Sequence, residues 1–352
     1  MKLGIIGLPQ SGKTTIFNAI TRGNMPTTAS AGRIEIHTAV VDVPDPRVTK
    51  LSGMFKPKKT IYAKMTYTDI AGLEAGSAKS GISGQLLNQL NQMDGLLLVA
   101  RGFTDENVMH PNGSVDPKRD VESMLGELLL NDLIAVERKL ERLVEERKKG
   151  GTDKVLNERQ TALFTRLLEA LNESKPLRKL EFNADENKEL SSFGLLTRKP
   201  VLTVFNMGEG QSAPQMDKDH PNVALMGKLE MEIAQLSAED ASVFMEEYGI
   251  KELSLSRMIN LSYDLLQVQS FFTVGEDEVR AWETHRGATA QESAGEIHTD
   301  LQRGFVRAEV VAYEDLISLG SMNEAKAKGK LRLEGKEYLV KDGDIMHIRS
   351  SL

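Results

Sequence analysis

Apolar positions in this chain follow two periods, and the switches between them mark its parts. Leu3 to Ile6 is a short apolar run, long enough for a buried strand, and it leads into a glycine-containing loop. Thr15 to Thr21 should follow as a helix, with Arg22-Gly23 as its stop signal. Ile34 to Val43 alternates like a strand until Val43-Pro44-Asp45-Pro46-Arg47, where two close prolines end any ladder. Val48 to Met54 predicts a short helix. Ile61 to Asp69 alternates again, with Ile61, Ala63, Met65 and Tyr67 against Lys64, Thr66 and Thr68. Gln85 to Met93 predicts a helix and Gly95 to Arg101 another buried strand.

From Asp120 the period becomes helical. Leu129, Leu133, Val136, Leu140 and Leu143 form a heptad stripe with charged residues between them. Gly150-Gly151 interrupts the stripe, and Leu156, Leu163, Leu167 and Ala170 resume it until Pro176. The pattern predicts two antiparallel helices inserted into the first domain; two ordinary surface helices packed on its core are the alternative. Val201 to Phe205 is a continuous apolar run of the kind found in central parallel strands. Asn222 to Met226 predicts a strand. Met231 to Met245 predicts a helix broken at Ser237 to Asp240, and Ile250 to Leu265 another helix. Beyond Phe271 the chain reads as strand-rich, with strands at 270–274, 278–284, 308–312, 330–333 and 344–349, and glycine turns between them.

Gly7 and, five positions on, Gly12-Lys13-Thr14 complete a Walker A pattern in its required strand–loop–helix setting. Glycines let the loop turn its N–H groups toward phosphate oxygens. Lys13 has the reach for β- and γ-phosphates, and the Thr14 hydroxyl can bind Mg²⁺. Asp69-Ile70-Ala71-Gly72 follows a strand, so Asp69 is a second metal candidate and Gly72 a γ-phosphate contact. After Gly72 stands Leu73, where many GTP-hydrolysing switches carry a Gln that orients water. Asn206-Met207-Gly208-Glu209 ends a strand where guanine-specific switches read Asn-Lys-x-Asp. Glu209 is one methylene longer than Asp, and Met207 replaces the Lys.

The chain has 352 residues, enough for two or three domains, and no cysteine, which excludes disulfides and thiolate metal sites. A net charge of −7 argues against broad non-specific nucleic-acid binding while leaving room for one basic face. No apolar stretch approaches the ~20 residues that span a bilayer. The N-terminal apolar run leads into the phosphate loop, so no signal peptide is expected and the cytoplasm is the expected compartment.

Taken together these motifs resemble the YchF subfamily of Obg-related P-loop NTPases, the Obg-like ATPases. The likeness runs the full length, and its C-terminal part is the most specific: Glu278-Val279-Arg280-Ala281-Trp282, Ile297-His298-Thr299-Asp300, Gly304-Phe305-Val306-Arg307-Ala308-Glu309-Val310 and Asp342-Gly343-Asp344-Ile345-Met346-His347. The resemblance implies an α/β P-loop domain over 1–119 and 181–268, a helical coiled-coil insertion over 120–180, and a C-terminal TGS domain of β-grasp shape over 269–352. It implies a slow ATPase, preferring ATP to GTP and associated with the ribosome or its RNA; Mg²⁺ is the expected cofactor, and a monomer away from membranes is the expected form. Lys13 and Gly72 are then the catalytic candidates. Pro9, Gln10, Ser11, Gly12, Lys13, Thr14, Thr15, Asn206, Met207 and Glu209 are the nucleotide candidates, with Thr14 and Asp69 for the metal. The chain departs from the family in Gln10-Ser11, in Thr14 for Ser, and in Arg33 where the first-switch Thr is expected. A non-catalytic, nucleotide-regulated RNA-binding module and a conventional GTPase are the rival functions.

Overall fold

A computed structural model describes residues 1–23, 36–70, 82–150, 153–216, 220–247, 250 and 253–351. They form two compact units: Met1–Ala39 with Thr66–Leu255, and Val40–Met65 with Ser256–Leu352. In chain order the first elements are β1 (Lys2–Gly7), α1 (Lys13–Thr21), β2 (Ile36–Asp42), α2 (Pro46–Phe55), β3 (Lys59–Ile61), β4 (Lys64–Ile70), α3 (Gly84–Asn91) and β5 (Gly95–Arg101). The helical hairpin is α4 (Pro117–Lys149) and α5 (Lys154–Asn172), followed by α6 (Ala184–Leu190). Next come β6 (Val201–Asn206), β7 (Asn222–Leu225), α7 (Gly227–Gln235), α8 (Ala238–Glu247) and α9 (Ser254–Leu265).

The first sheet has the order β2-β4-β1-β5-β6-β7, and β4, β1, β5, β6 and β7 run parallel. All seven residues of β5 and all six of β6 are buried, which explains why they read as continuous apolar runs. Parallel register puts the carboxyl ends of β1, β4, β5 and β6 on one edge, where doubly wound sheets bind ligands. The register pairs Ile5 with Asp69, Gly7 with Val99 and Arg101 with Asn206.

The insertion grows out of the nucleotide core rather than starting at its own boundary. Asp116 accepts from the Arg119 N–H and caps α4, and Pro117 sits at its first position. Val121, Met124 and Leu128 then pack with Leu96, Leu98 and Phe205, while Val136 of the same helix packs with Leu163, Phe164 and Leu167 of α5. One helix therefore serves two cores. Asp132 is wholly buried and accepts from the Leu196 N–H at 2.8 Å, the Thr197 N–H at 2.7 Å and the Thr197 hydroxyl at 2.6 Å. These bonds fix the turn that launches β6.

The second unit holds β8 (Val268–Val274), β9 (Glu278–His285), α10 (Ala290–Ile297), α11 (Thr299–Arg303), β10 (Phe305–Ala312), α12 (Tyr313–Leu319), α13 (Met322–Ala327), β11 (Arg332–Glu334) and β12 (Asp344–Ser350). Its sheet order is β11-β10-β12-β8-β9-β3, with β12 parallel to β8 and antiparallel to β10. Ala290 and Ala294 of α10 pack on Phe271, Ala308, Val310 and Met346, giving the mixed sheet and crossing helix of a β-grasp domain.

Three readings change. The alternation from Ile61 to Asp69 is not one strand: it breaks at Tyr62-Ala63, where the Ala63 carbonyl accepts from the Val43 N–H at 2.8 Å. Val40–Met65, assigned from sequence within 1–119, and Ser256–Val268, assigned within 181–268, cluster with the C-terminal unit instead. The stretch beyond Phe271, read from sequence as a small mixed α+β module with its strands located, also contains four short helices whose positions the sequence reading did not give.

Candidate functional site

The site is built where β1 turns into α1. Gln10 and Gly12 take left-handed backbone angles, φ 62° and 87°, so the loop curls in a way only glycine adopts freely at position 12. The Ser11 N–H bonds the Leu8 carbonyl at 3.2 Å and closes the curl. Space is as tight as the backbone. A Cβ at Gly7 would lie 2.5 Å from the Val99 carbonyl oxygen, and one at Gly12 only 2.1 Å from Asn206 Nδ2.

Lys13 lies at the first turn of α1, and its ammonium donates to the Gly7 and Leu8 carbonyls at 2.9 and 3.0 Å. Burial lowers its pKa to about 8, opposed by the nearby Asp69 charge. The Thr14 hydroxyl donates to Asp69 Oδ2 at 2.9 Å, joining the two metal candidates across 55 residues. Burial raises the Asp69 pKa, while the Thr14 hydrogen bond, Lys13 and His37 pull it down. Asp69 Oδ1 and Ser11 Oγ are buried with no hydrogen-bond partner among the described residues. An orphaned carboxylate oxygen beside a threonine hydroxyl is a suitable half-set for Mg²⁺, which takes one or two protein oxygens and completes its shell with water and phosphate. Among the described residues no three His, Asp or Glu side chains converge.

Asn206, at the end of β6, is the brace of the loop. Its Nδ2 donates to the Ser11 carbonyl at 3.1 Å, and its Oδ1 accepts from the Gly227 N–H at 3.0 Å. Both bonds are buried, and a Cβ at Gly227 would fall 2.8 Å from that Oδ1. Gly12 and Gly227 are thus small because Asn206 fills the space between them. Met207 is buried against Gly102, whose added Cβ would meet its Sδ at 2.4 Å. Glu209 is exposed, as are Pro9 and Gln10; Thr15 is half-buried on α1. Gly72, Leu73 and Arg33 lie outside the described residues.

Sequence reasoning missed the loop after β5. Arg101 is buried and donates to the carbonyls of Phe103 at 3.1 Å and Val108 at 2.8 Å. Its guanidinium lies 4.5 Å from the Phe103 ring centre, and burial lowers its pKa. The clamp holds Phe103 beside the loop: an added Cβ at Gly12 would meet its ring at 3.7 Å, and one at Gly208 would meet its Cβ at 3.4 Å. Further on, His110 Nε2 lies 2.8 Å from Asp120 Oδ2, both side chains nearly wholly enclosed. The one signal in the sequence was a charged Arg101 closing an otherwise apolar strand.

Two family models match the chain: one described as a 50S ribosome-binding GTPase over residues 2–139, and the C-terminal model of YchF GTPases, described as a protein of unknown function, over 268–351. The chain is 40% identical to the ribosome-binding ATPase YchF of Bacillus subtilis, with 98% of each covered. It is 38% identical to that of Haemophilus influenzae, covering 99% of this chain and 98% of the relative. The solved YchF GTPase of Schizosaccharomyces pombe superposes with a TM-score of 0.84 at 30% identity, over 99% of this chain and 97% of that one. With curated relatives and a solved structure matched end to end, the chain belongs to the YchF family of P-loop NTPases.

Proposed function

We propose that the first unit binds ATP with Mg²⁺ and hydrolyses it slowly, and that the bound nucleotide governs association with the ribosome. The observation that carries this is the Thr14–Asp69 pair at 2.9 Å beside the left-handed Gly12, with Asp69 Oδ1 buried and without a partner among the described residues. Lys13 exchanges its two carbonyl partners for phosphate oxygens, and the loop N–H groups hold the rest of the phosphate chain. Mg²⁺ held by Thr14 and Asp69 supplies charge neutralisation on the β- and γ-phosphates. In the sequence Gly72, the γ-phosphate candidate, is followed by Leu73 where many switches carry a water-orienting Gln, and slow turnover is proposed on that ground.

The preference for adenine rests on what the Asn206 to Glu209 turn lacks. Asn206 is spent on Ser11 and Gly227, Met207 stands in place of Lys, and Glu209 is exposed. Among the described residues nothing fixes Glu209 as a paired acceptor for the two donors of a guanine edge, and Phe103 offers an apolar face to either purine. The curated relatives are named ribosome-binding ATPases, which supports the ribosome as partner and ATP as substrate. The structural neighbour is named a GTPase, which keeps the rival nucleotide in play. Competition of ATP and GTP against a fluorescent ATP analogue decides it, and tighter GTP binding overturns the assignment. Phosphate release compared with Lys13→Ala tests hydrolysis; turnover equal to that variant leaves a switch that binds without cleaving. No helix among the described residues is long and apolar enough to cross a membrane, and a cytoplasmic monomer is the form proposed.

A further inference from the structure

β2 ends the order of the first sheet and lies next to β4. Two side-chain contacts fix its register. Thr38 Oγ1 lies 3.2 Å from Thr68 Oγ1, and Lys64 Nζ lies 3.4 Å from Asp42 Oδ1. Four residues forward on β2 are four residues back on β4, so the two strands run antiparallel. The residue opposite Asp69 is then His37. Side chains directly opposite in an antiparallel pair share a face, so His37 and Asp69 stand together on one face of the sheet.

That face also carries the metal candidates. The Thr14 hydroxyl donates to Asp69 Oδ2 at 2.9 Å, which places the start of α1 on this side. The two faces of β2 differ accordingly. Thr38, Val40 and Asp42 are exposed, whereas His37, Ala39 and Val41 are half-buried. With Thr14 and Lys13, His37 is one of the groups that draw the Asp69 pKa down against its burial, so the imidazole is near enough to act on that carboxylate. The bland account is that polar side chains on an outer strand keep it from pairing with another chain. That accounts for Thr38 and Asp42, on the open face. It gives no reason for an imidazole on the covered face, opposite a buried carboxylate.

We infer that His37 is a positioning residue for the Mg²⁺ of the nucleotide site: once ATP and Mg²⁺ are bound, it donates an N–H to the Asp69 carboxylate and holds that group in place for the cation. This rests on the Mg²⁺ reading above and adds a residue to it. Thr14 reaches one carboxylate oxygen, Oδ2, and leaves Oδ1 buried without a partner among the described residues. A carboxylate held at one oxygen can still swing, and a second donor from β2 stops it. Carboxylates that hold a metal are themselves held by outer hydrogen bonds, and these tune the metal affinity. The imidazole belongs in that outer role, because Mg²⁺ takes oxygen ligands in preference to nitrogen.

The test uses the full chain and a fluorescent ATP analogue, titrated with Mg²⁺ at constant pH. Loss of an outer partner weakens metal affinity about tenfold to a hundredfold, so His37→Leu should raise the half-saturating Mg²⁺ by that factor. His37→Asn and His37→Gln set an amide N–H near one or the other ring nitrogen, and at least one of them should restore the wild-type response. Affinity for the analogue in EDTA separates positioning from a structural role: a His37→Leu loss there as large as the loss with Mg²⁺ overturns the inference. Should His37→Leu lower the unfolding midpoint of the nucleotide-free chain, His37→Val, a better strand former, takes its place. A wild-type Mg²⁺ response in these apolar variants overturns the role of His37 and leaves Thr14 and Asp69 standing. Failure of both amide variants to restore the response also overturns it, since no hydrogen bond is then at work. A wild-type chain whose affinity does not rise with Mg²⁺ removes the metal reading, and this one with it.

Discussion

Asn206 separates two views of the Asn206-Met207-Gly208-Glu209 turn, as a base reader or as a structural brace. In the structure its amide is consumed by the Ser11 carbonyl at 3.1 Å and the Gly227 N–H at 3.0 Å. Asn206→Ala deletes both bonds and leaves a buried acceptor and a buried donor facing a void. Each bond contributes about 1 kcal/mol net, and each orphaned buried group costs about 1 to 3 kcal/mol. The two orphaned groups together should therefore cost about 2 to 6 kcal/mol before any nucleotide is added. For a unit of this size that corresponds to a midpoint about 4 to 24 °C lower. Asn206→Asp keeps the acceptor for Gly227 but sets a carboxylate oxygen against the Ser11 carbonyl, so it should fall at least as far. The assay is thermal unfolding of nucleotide-free protein, followed by titration with a fluorescent ATP analogue. A wild-type midpoint in nucleotide-free Asn206→Ala, with only the ATP-to-GTP ratio altered, would refute the brace.

Lys13 supplies a pH test. Its folded pKa is lowered to about 8, below the ordinary lysine value of about 10.4. Below about pH 8 both states are protonated and the cost of burying the charge is carried in full; between about pH 8 and 10 the unfolded chain holds more protons, so stability rises with pH. Denaturant titrations should show that rise in wild type and a flatter profile in Lys13→Met; equal slopes refute it. Thr14→Val keeps the shape of the side chain and removes the hydroxyl that meets Asp69, so the gain in ATP affinity from Mg²⁺ should shrink about tenfold, roughly 1.4 kcal/mol. An unchanged Mg²⁺ dependence in isothermal titration removes Thr14 from the metal site. Asp132→Ala strips three acceptor bonds from the turn before β6 and should cost about 3 to 5 kcal/mol in a denaturant melt. A midpoint equal to wild type shows the turn is held by something else.

What the sequence disclosed follows from how local each cause is. The phosphate loop was legible because its requirements lie close together, between Leu3 and Thr14: a buried strand, glycine where φ is 87°, then Lys13 and Thr14 on the first turn of a helix. β5 and β6 were legible because burial on both faces leaves no polar position to confuse the period. The break between β3 and β4 was hidden because Ala63 and Met65 are both buried, so alternation runs on through a gap in the ladder. The helices after β9 are short, five to eight residues, too brief to show a 3.6 period. Their caps were nonetheless in view: Thr289 with Glu292 forms a capping box, and Ser321 accepts from the Glu324 N–H.

The brace at Asn206 belongs to a different class of cause. Its partner Ser11 stands 195 residues away, and no spacing rule links them. Position alone marked Asn206 as a nucleotide contact; the structure adds why the loop, the strand end and α7 must change together. A larger residue at Gly12 or Gly227 strikes the Asn206 amide, and a smaller one at 206 empties the space that both glycines leave. Repair should therefore be asymmetric. No residue restores Asn206→Ala from the glycine side, since a Cβ at Gly12 can neither donate to the Ser11 carbonyl nor sit easily at φ 87°. The double variant Gly12→Ala, Asn206→Ala relieves the clash of the first change but keeps its backbone strain and both orphaned groups. It should unfold no later than Asn206→Ala alone. A double variant that recovers the wild-type midpoint would mean that close packing, rather than hydrogen bonding, is what joins the loop to β6.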